Sequence, residues 1–185
     1  HPAIIMSDSG ETVSYAEMER KANQGAQLLR SLGIVTGDSI AVWLPNCSDF
    51  LCIYWAAQRA GLYITPVSTA LTAEEAVYII DNCQAKLLVS CDAIPGLAGM
   101  LQNRPASLTY FHDLADWQTA TAAQPDSPID DESAGFHMVY SSGTTGRPKG
   151  IRLPLAGGDP TAPHMLAERA ERNYGVDTDT VYLSP

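Results

Sequence analysis

Short apolar runs alternate with amphipathic stretches along most of the chain, and the hydrophobic period switches between strand-like and helix-like as they do. Ala3 to Ser7 and Glu11 to Ser14 flank Asp8-Ser9-Gly10. Glycine supplies the positive φ that tight turns need, so this opening predicts a β-hairpin. Ser14 stands three residues before Glu17, which is a capping-box spacing. Met18, Ala22, Ala26, Leu29 and Leu32 follow at helical spacing, with polar residues on the opposite face and Gly33 as the stop. Ile40 to Leu44 reads as a buried strand. Ser48 is placed to cap a helix running to about Ala60, with Gly61 behind it.

The alternation continues. Tyr63 to Val67 predicts a strand, and Thr72 with Glu75 forms a second capping box for a helix ending near Asn82. Leu87 to Ser90 is a strand, followed by a weaker helix and a strand at Leu108 to Phe111. Strand–helix repetition at this spacing implies an α/β fold: a mostly parallel sheet flanked by helices, with right-handed crossovers. Gln118 to Ser133 is rich in Ala, Thr, Pro, Asp and Ser and reads as a surface connection. Phe136 to Tyr140 is then a strand feeding directly into a Gly-rich segment. Ile151 to Leu153 predicts a short strand beyond it. Asp159-Pro160 suits the start of a helix ending before Gly175, and Val181 to Leu183 the start of another strand.

Length and charge narrow the function. The 185 residues suit one domain or one lobe of a larger one. A formal net charge of −10 disfavours nucleic acid and anionic lipid as partners, because both present phosphates. It does not exclude nucleotides, since a few local donors can hold a small polyanion. Cys47, Cys52, Cys83 and Cys91 form no CxxC pair and have no histidine at metal-ligand spacing. They read as reduced, mostly buried thiols of a cytosolic protein rather than a zinc site. No apolar run reaches membrane-span length and no signal-peptide pattern opens the chain, so the expected location is the cytoplasm. The chain begins at His1, which suggests residues trimmed upstream.

The chemistry is concentrated in Tyr140-Ser-Ser-Gly-Thr-Thr-Gly-Arg-Pro-Lys149-Gly150. Gly143, Gly146 and Gly150 let backbone approach a ligand closely. Successive N–H groups in such a turn form an anion-binding concavity. Ser141, Ser142, Thr144 and Thr145 add hydroxyl donors, and Lys149 adds a mobile positive charge. A strand leading in sets the loop at its carboxyl end, where open α/β sheets bind ligands. The set suits a triphosphate. It is not the Walker-type loop, since Gly143 and Gly146 are only two residues apart and Pro148 precedes Lys149. It is not the G-x-G-x-x-G dinucleotide fingerprint either.

Ser141 to Gly150 closely resembles the signature loop of the acyl-activating superfamily, whose form is Ser/Thr-Ser-Gly-Thr/Ser-Thr-Gly-x-Pro-Lys-Gly; every fixed position is met. That superfamily includes acyl-CoA synthetases, coumarate ligases, luciferases and nonribosomal peptide adenylation domains. Thr12 to Glu17, Gly37 to Asn46, Ala60 to Pro66 and Leu71 to Glu75 also look like family blocks. Tyr182-Leu-Ser-Pro185 resembles the approach to a further, histidine-containing motif. One departure is Leu153-Pro154-Leu155, where family members often carry a Ser/Thr-His pair.

The resemblance implies a truncated N-terminal part of the AMP-binding domain over 1–185, a partial lobe of the acyl-CoA synthetase-like fold. It implies ATP, Mg²⁺ and CoA as cofactors, and a carboxylic acid, fatty or aryl, as substrate. Ser141, Ser142, Gly143, Thr144, Thr145, Gly146, Lys149 and Gly150 would bind the phosphates, with Lys149 and Thr145 meeting the charge that develops in catalysis. The family's adenine and ribose contacts, acidic magnesium ligand, acyl pocket and C-terminal catalytic lysine lie downstream, so this chain is expected inactive alone. Two alternatives stay open: an adenylation domain that loads a carrier protein, and a non-catalytic phosphate-binding piece. A missing lobe predicts self-association and a mobile empty loop.

Other residues read as structural. Trp43, Tyr54 and Trp55 fall in apolar periods and suit core or helix interfaces. Tyr140 suits packing at the strand end, and Arg147, at the variable loop position, plain solvation. His137 alternates with apolar neighbours on its strand and suits a packed or surface histidine rather than a ligand, and His112 and His164 have no partner at catalytic spacing. Asp130-Asp131-Glu132 reads as a solvated acidic run rather than a metal site.

Overall fold

The computed structural model describes residues 1–141, 147–160, 162 and 165–182. β1 (Pro2–Ile5) and β2 (Thr12–Ser14) pair antiparallel as the opening pattern predicts. α1 (Tyr15–Ser31) begins where the Ser14 hydroxyl accepts the Glu17 N–H at 3.1 Å. Only this half of the capping box is seen; the Glu17 carboxylate faces Arg20 instead. Gly33, at φ +73°, follows the helix end.

β3 (Ser39–Trp43) leads to α2 (Ser48–Arg59). Here the sequence reading needs correction. The N-cap is Cys47, which makes no side-chain cap bond, and Ser48 is already helical. The Ser48 hydroxyl donates instead to Glu11 Oε1 at 2.7 Å, tying α2 to the hairpin. The hydroxyl thus serves as a donor to a distant carboxylate rather than as an acceptor for a helix N–H. β4 (Tyr63–Pro66) precedes α3 (Ala73–Asn82), whose Thr72–Glu75 capping box is complete. β5 (Ala85–Ser90), α4 (Leu97–Gln102), β6 (Tyr110–Asp113) and α5 (Leu114–Ala122) follow.

The main sheet has five parallel strands in the order β6-β5-β3-β4-β7, where β7 is Phe136–His137. Central β3 is buried at all five positions. Successive side chains point to opposite faces. Ile40 and Val42 therefore pack with Leu29, Ile53 and Trp117 against α1, α2 and α5. Ala41 and Trp43 pack with Ile80 and Met100 against α3 and α4. Both faces are covered, which is why these strands lack polar alternation. α1 and α2 approach so closely at Gly25 that an added Cβ would lie 2.6 Å from Ala56 Cβ.

Four further differences concern the second half. Residues 118–122 are helical, since α5 runs to Ala122; Trp117 and Thr121 are its buried face. Beyond it, the connection is fixed by α1: Asn23 and Gln24 amides donate to the carbonyls of Asp126 and Gln124. The acidic run is not merely solvated, because Asp131 pairs with Arg30 at 3.0 Å and Glu132 with Arg59 at 3.0 Å. The C-terminal helix α6 is Met165–Tyr174, later than Asp159; the Asp159 carbonyl accepts the Ala162 N–H in a turn. Val181 and Tyr182 lie outside any strand.

Trp55 is also a correction. It is 42% exposed, edge-on to Tyr54, because it lies on the outer side of α2. Trp43, as expected, is core, and its indole N–H donates to the Ser68 carbonyl at 3.0 Å. All four cysteines are free, with Cys52 and Cys83 buried. No helix among the described residues is long and apolar enough to cross a membrane.

Candidate functional site: a phosphate hairpin beside the parallel sheet

The apolar stretch from Phe136 to Tyr140 is not one strand. β7 adds two residues to the sheet beside β4, and the Met138 N–H donates to the Ile64 carbonyl at 2.9 Å. The chain then leaves the sheet at the carboxyl end of β7. β8 (Val139–Ser141) pairs antiparallel with β9 (Lys149–Ile151) in a separate two-stranded ribbon. The split follows from burial: Met138 is buried in the core, whereas Val139 is 42% exposed and has nothing to cover it. The strand expected at Ile151 to Leu153 is this β9, displaced toward the loop.

Register in the ribbon decides which site residues meet. Ser141 stands opposite Lys149, Tyr140 opposite Gly150, and Val139 opposite Ile151. Directly opposed residues share a face. Ser141 and Lys149 are thus brought together, both exposed, at the mouth of the loop. Tyr140 and Gly150 turn the other way. A Cβ on Gly150 would lie 2.9 Å from the Tyr140 ring, so the missing side chain makes room for that tyrosine. Ser142, Gly143, Thr144, Thr145 and Gly146 lie outside the described residues, as does His164.

The stems are anchored by tyrosines that the chain pattern did not single out for this. Tyr140 donates its O–H to Asn82 Oδ1 at 2.6 Å. Burial, and then the nearby Cys83 and Tyr78, pushes its phenol well above the usual tyrosine range, so it remains a donor. Tyr78 donates to the Pro148 carbonyl at 3.1 Å, and the Arg147 guanidinium lies over its ring, 5.3 Å from the centroid. Arg147 is therefore not simply solvated. Tyr63 donates to the Leu153 carbonyl at 2.7 Å, and Arg152 stacks on its ring at 4.0 Å while donating to the Gly37 carbonyl. Tyr78 and Asn82 are four residues apart on a helix, a spacing that puts both on one face, but nothing local names a partner some 60–70 positions later.

Lys149 enters no ion pair among the described residues. Its side chain is exposed beside Ser141. Among the same residues no three His, Cys, Asp or Glu side chains gather as metal ligands do. His137 stacks on Phe136 and meets the Tyr54 hydroxyl through Nδ1 at 3.2 Å, on the edge strand β7. His112 packs edge-on to Trp117.

The profile of the AMP-binding enzyme family matches residues 1–183. The chain belongs to the AMP-binding enzyme family. Among curated relatives, the crotonobetaine/carnitine–CoA ligase of Escherichia coli is 30% identical over 80% of this chain and 32% of its own length. Among solved structures, the inhibitor-bound N-terminal domain of FACL13 from Mycobacterium tuberculosis superposes with a TM-score of 0.72 at 25% identity, over 81% of this chain and 39% of that one. A Mycobacterium tuberculosis fatty acyl CoA synthetase gives 0.71 at 23% identity, over 81% and 30%, a likeness of fold. The chain spans about a third of the length of the curated relatives it matches. Its α/β sheet is that of the N-terminal domain of an acyl-CoA synthetase.

Proposed function

We propose that this chain is the N-terminal part of an AMP-forming acyl-CoA ligase. In that reading the whole protein activates a carboxylic acid, fatty or aryl, as an acyl adenylate and passes the acyl group to CoA. One observation supports it most: the ribbon sets Ser141 opposite Lys149, which enters no ion pair among the described residues, at the ends of the segment that resembles the family's phosphate loop. The names of its relatives favour CoA over a carrier protein as acceptor, since the Escherichia coli relative is a CoA ligase.

The substrate supplies the nucleophile. Its carboxylate oxygen attacks the α-phosphorus of ATP, the bond from that phosphorus to the bridging oxygen breaks, and pyrophosphate leaves. A thiol then attacks the acyl carbon and AMP departs. This chain's part is positioning and charge stabilisation. Lys149 sets an ammonium against the charge that grows on the departing phosphates. Ser141, Ser142, Thr144 and Thr145 offer hydroxyls, and Gly143, Gly146 and Gly150 let backbone N–H groups come close. Mg²⁺ supplies a counter-charge to the same oxygens when bound; its acidic ligand belongs to chain outside these residues, as do the acyl pocket and the CoA contacts.

Carboxylate-dependent ATP–pyrophosphate exchange tests the proposal. A longer protein containing residues 1–185 is expected to catalyse it with an aliphatic or aryl acid, and the 185-residue chain alone to fail. No exchange by the longer protein across such a panel overturns the ligase reading. The proposed setting is cytoplasmic. Val139, Ile151, Leu153, Val181 and Tyr182 are exposed, so the isolated chain is also expected to self-associate. Light scattering at monomer mass across concentrations counts against that.

A further inference from the structure

The phosphate ribbon touches the body of the protein through few polar tethers, and two of them come from one helix face. Tyr78 and Asn82 lie one turn apart on α3. Tyr78 takes the exit stem, through its O–H to the Pro148 carbonyl at 3.1 Å, and its ring carries the Arg147 guanidinium. Asn82 takes the entry stem, through its Oδ1, which accepts the Tyr140 O–H at 2.6 Å. Gly150 completes the arrangement by leaving the Tyr140 ring free to lie across β9 on its way to α3. α3 is itself held firmly: its amino end has a complete capping box, and Ala76, Ile79 and Ile80 are buried in the core.

We propose that Tyr78 and Asn82 of α3 are positioning residues that clamp the two stems of the β8–β9 hairpin and so hold Ser141 and Lys149 in place for ATP. The proposal rests on the ligase reading above only for its last step, the consequence for ATP. The physical reason is rigidity. A two-stranded ribbon alone is marginal in water. Two stems tied to a single packed helix cannot twist or splay independently, so Ser141 and Lys149 keep one relative geometry before the ligand arrives. A ligand then meets a preorganised set rather than ordering it on binding.

The clamp has a readout that needs no catalysis. Trypsin can cut the Lys149–Gly150 bond, whereas Arg147 is protected by Pro148 after it. Cleavage of a folded protein at such a bond reports how often that segment opens. In the 185-residue chain, Tyr78→Phe removes the hydroxyl and keeps the ring under Arg147. It is expected to speed cleavage at Lys149–Gly150 about fivefold, the worth of one neutral hydrogen bond, with cleavage at Arg172–Asn173 and the melting temperature unchanged. Asn82→Ala is expected to act similarly through the other stem, and Tyr78→Ala more strongly. In the longer protein, Tyr78→Phe is expected to raise KM for ATP in pyrophosphate exchange and leave KM for the carboxylic acid unchanged.

Unchanged cleavage at Lys149–Gly150 in both single variants overturns the clamp. So does equal acceleration at Arg172–Asn173, or a lowered melting temperature in Tyr78→Phe, since α3 would then merely be packing residues. Faster cleavage at Lys149 with an unchanged KM for ATP overturns the positioning role. A longer wild-type protein with no exchange activity sinks the ligase reading, and the cleavage rates still decide the clamp.

Discussion

The five-stranded sheet and the β8–β9 ribbon are held in opposite ways. The sheet is buried on both faces, and β3 and its neighbours are fixed by apolar contact with five helices. The ribbon has three-residue strands, exposed Val139, Ser141, Lys149 and Ile151, and a handful of polar tethers. Burial is non-directional and makes the sheet the source of stability. Hydrogen bonds from tyrosines are directional and fix the orientation of the ribbon's stems. Substitutions in the two regions should therefore fail differently: those in the sheet should unfold the chain, and those in the ribbon should disturb ligand chemistry in a chain that still folds.

The largest test of that contrast is Leu87→Ala, which removes a fully buried side chain from β5. It is expected to cost about 2–5 kcal/mol in denaturant unfolding, because the surroundings collapse only partly around the void. Lys149→Ala is the counterpart in the ribbon. It is expected to raise the adenylation barrier of the longer protein by about 3 kcal/mol, with an unchanged melting temperature. Measured separately, thioester formation should slow less; equal slowing of both half-reactions breaks the assigned role. A smaller effect is expected of Gly25→Ala at the α1–α2 contact, where the new Cβ meets Ala56 Cβ. Overpacking there is expected to cost about 1–3 kcal/mol by the same unfolding measurement.

Smaller effects probe the capping of α3, on which the ribbon's tethers depend. Thr72→Ala is expected to cost about 1 kcal/mol at neutral pH, from the loss of a helix cap. The effect should depend on pH. Hydrogen bonds from the Thr72 N–H and hydroxyl hold the Glu75 carboxyl below the usual glutamate range. A carboxyl lowered in the folded state stabilises above its unfolded pKa and ceases to do so as pH falls through the folded value. The penalty of Thr72→Ala should thus shrink on acidification, and a penalty constant down to strongly acid pH breaks the argument. At the alkaline end, burial pushes the Cys52 thiol up to about 11. A raised thiol keeps its contribution below the unfolded pKa and loses it as pH rises toward the folded one. Unfolding free energy should therefore fall between about pH 9 and 11, and Cys52→Ala should flatten that slope.

Much of the sheet was legible because its signals are local. Continuous apolar runs at Ile40–Val42 and Leu87–Val89, and Thr72 with Glu75, each carry their own physical reason within a few residues. The readings that failed are those where a distant group decided. Ser48 gave up its cap for Glu11, Trp55 faced outward on α2, and Asp131 and Glu132 found arginines on α1 and α2. The extended stretch from Phe136 to Tyr140 looked continuous because nothing in it marks where β4 ends as a partner.

The candidate site divides along the same line. Sequence alone carries the proposed chemistry: the order of Gly, Ser, Thr and Lys from Ser141 to Gly150 gives the donors of the proposed phosphate site, since composition and spacing are properties of a short segment. Tertiary structure alone decided what stands opposite what. The pairing of Ser141 with Lys149 follows from ribbon register, and the hold of Tyr78, Asn82 and Tyr63 on the ribbon follows from how α3 and β4 pack beside it. Contacts between residues some 60 to 90 positions apart leave no trace in a local pattern, because they exist only once the sheet has brought those residues together.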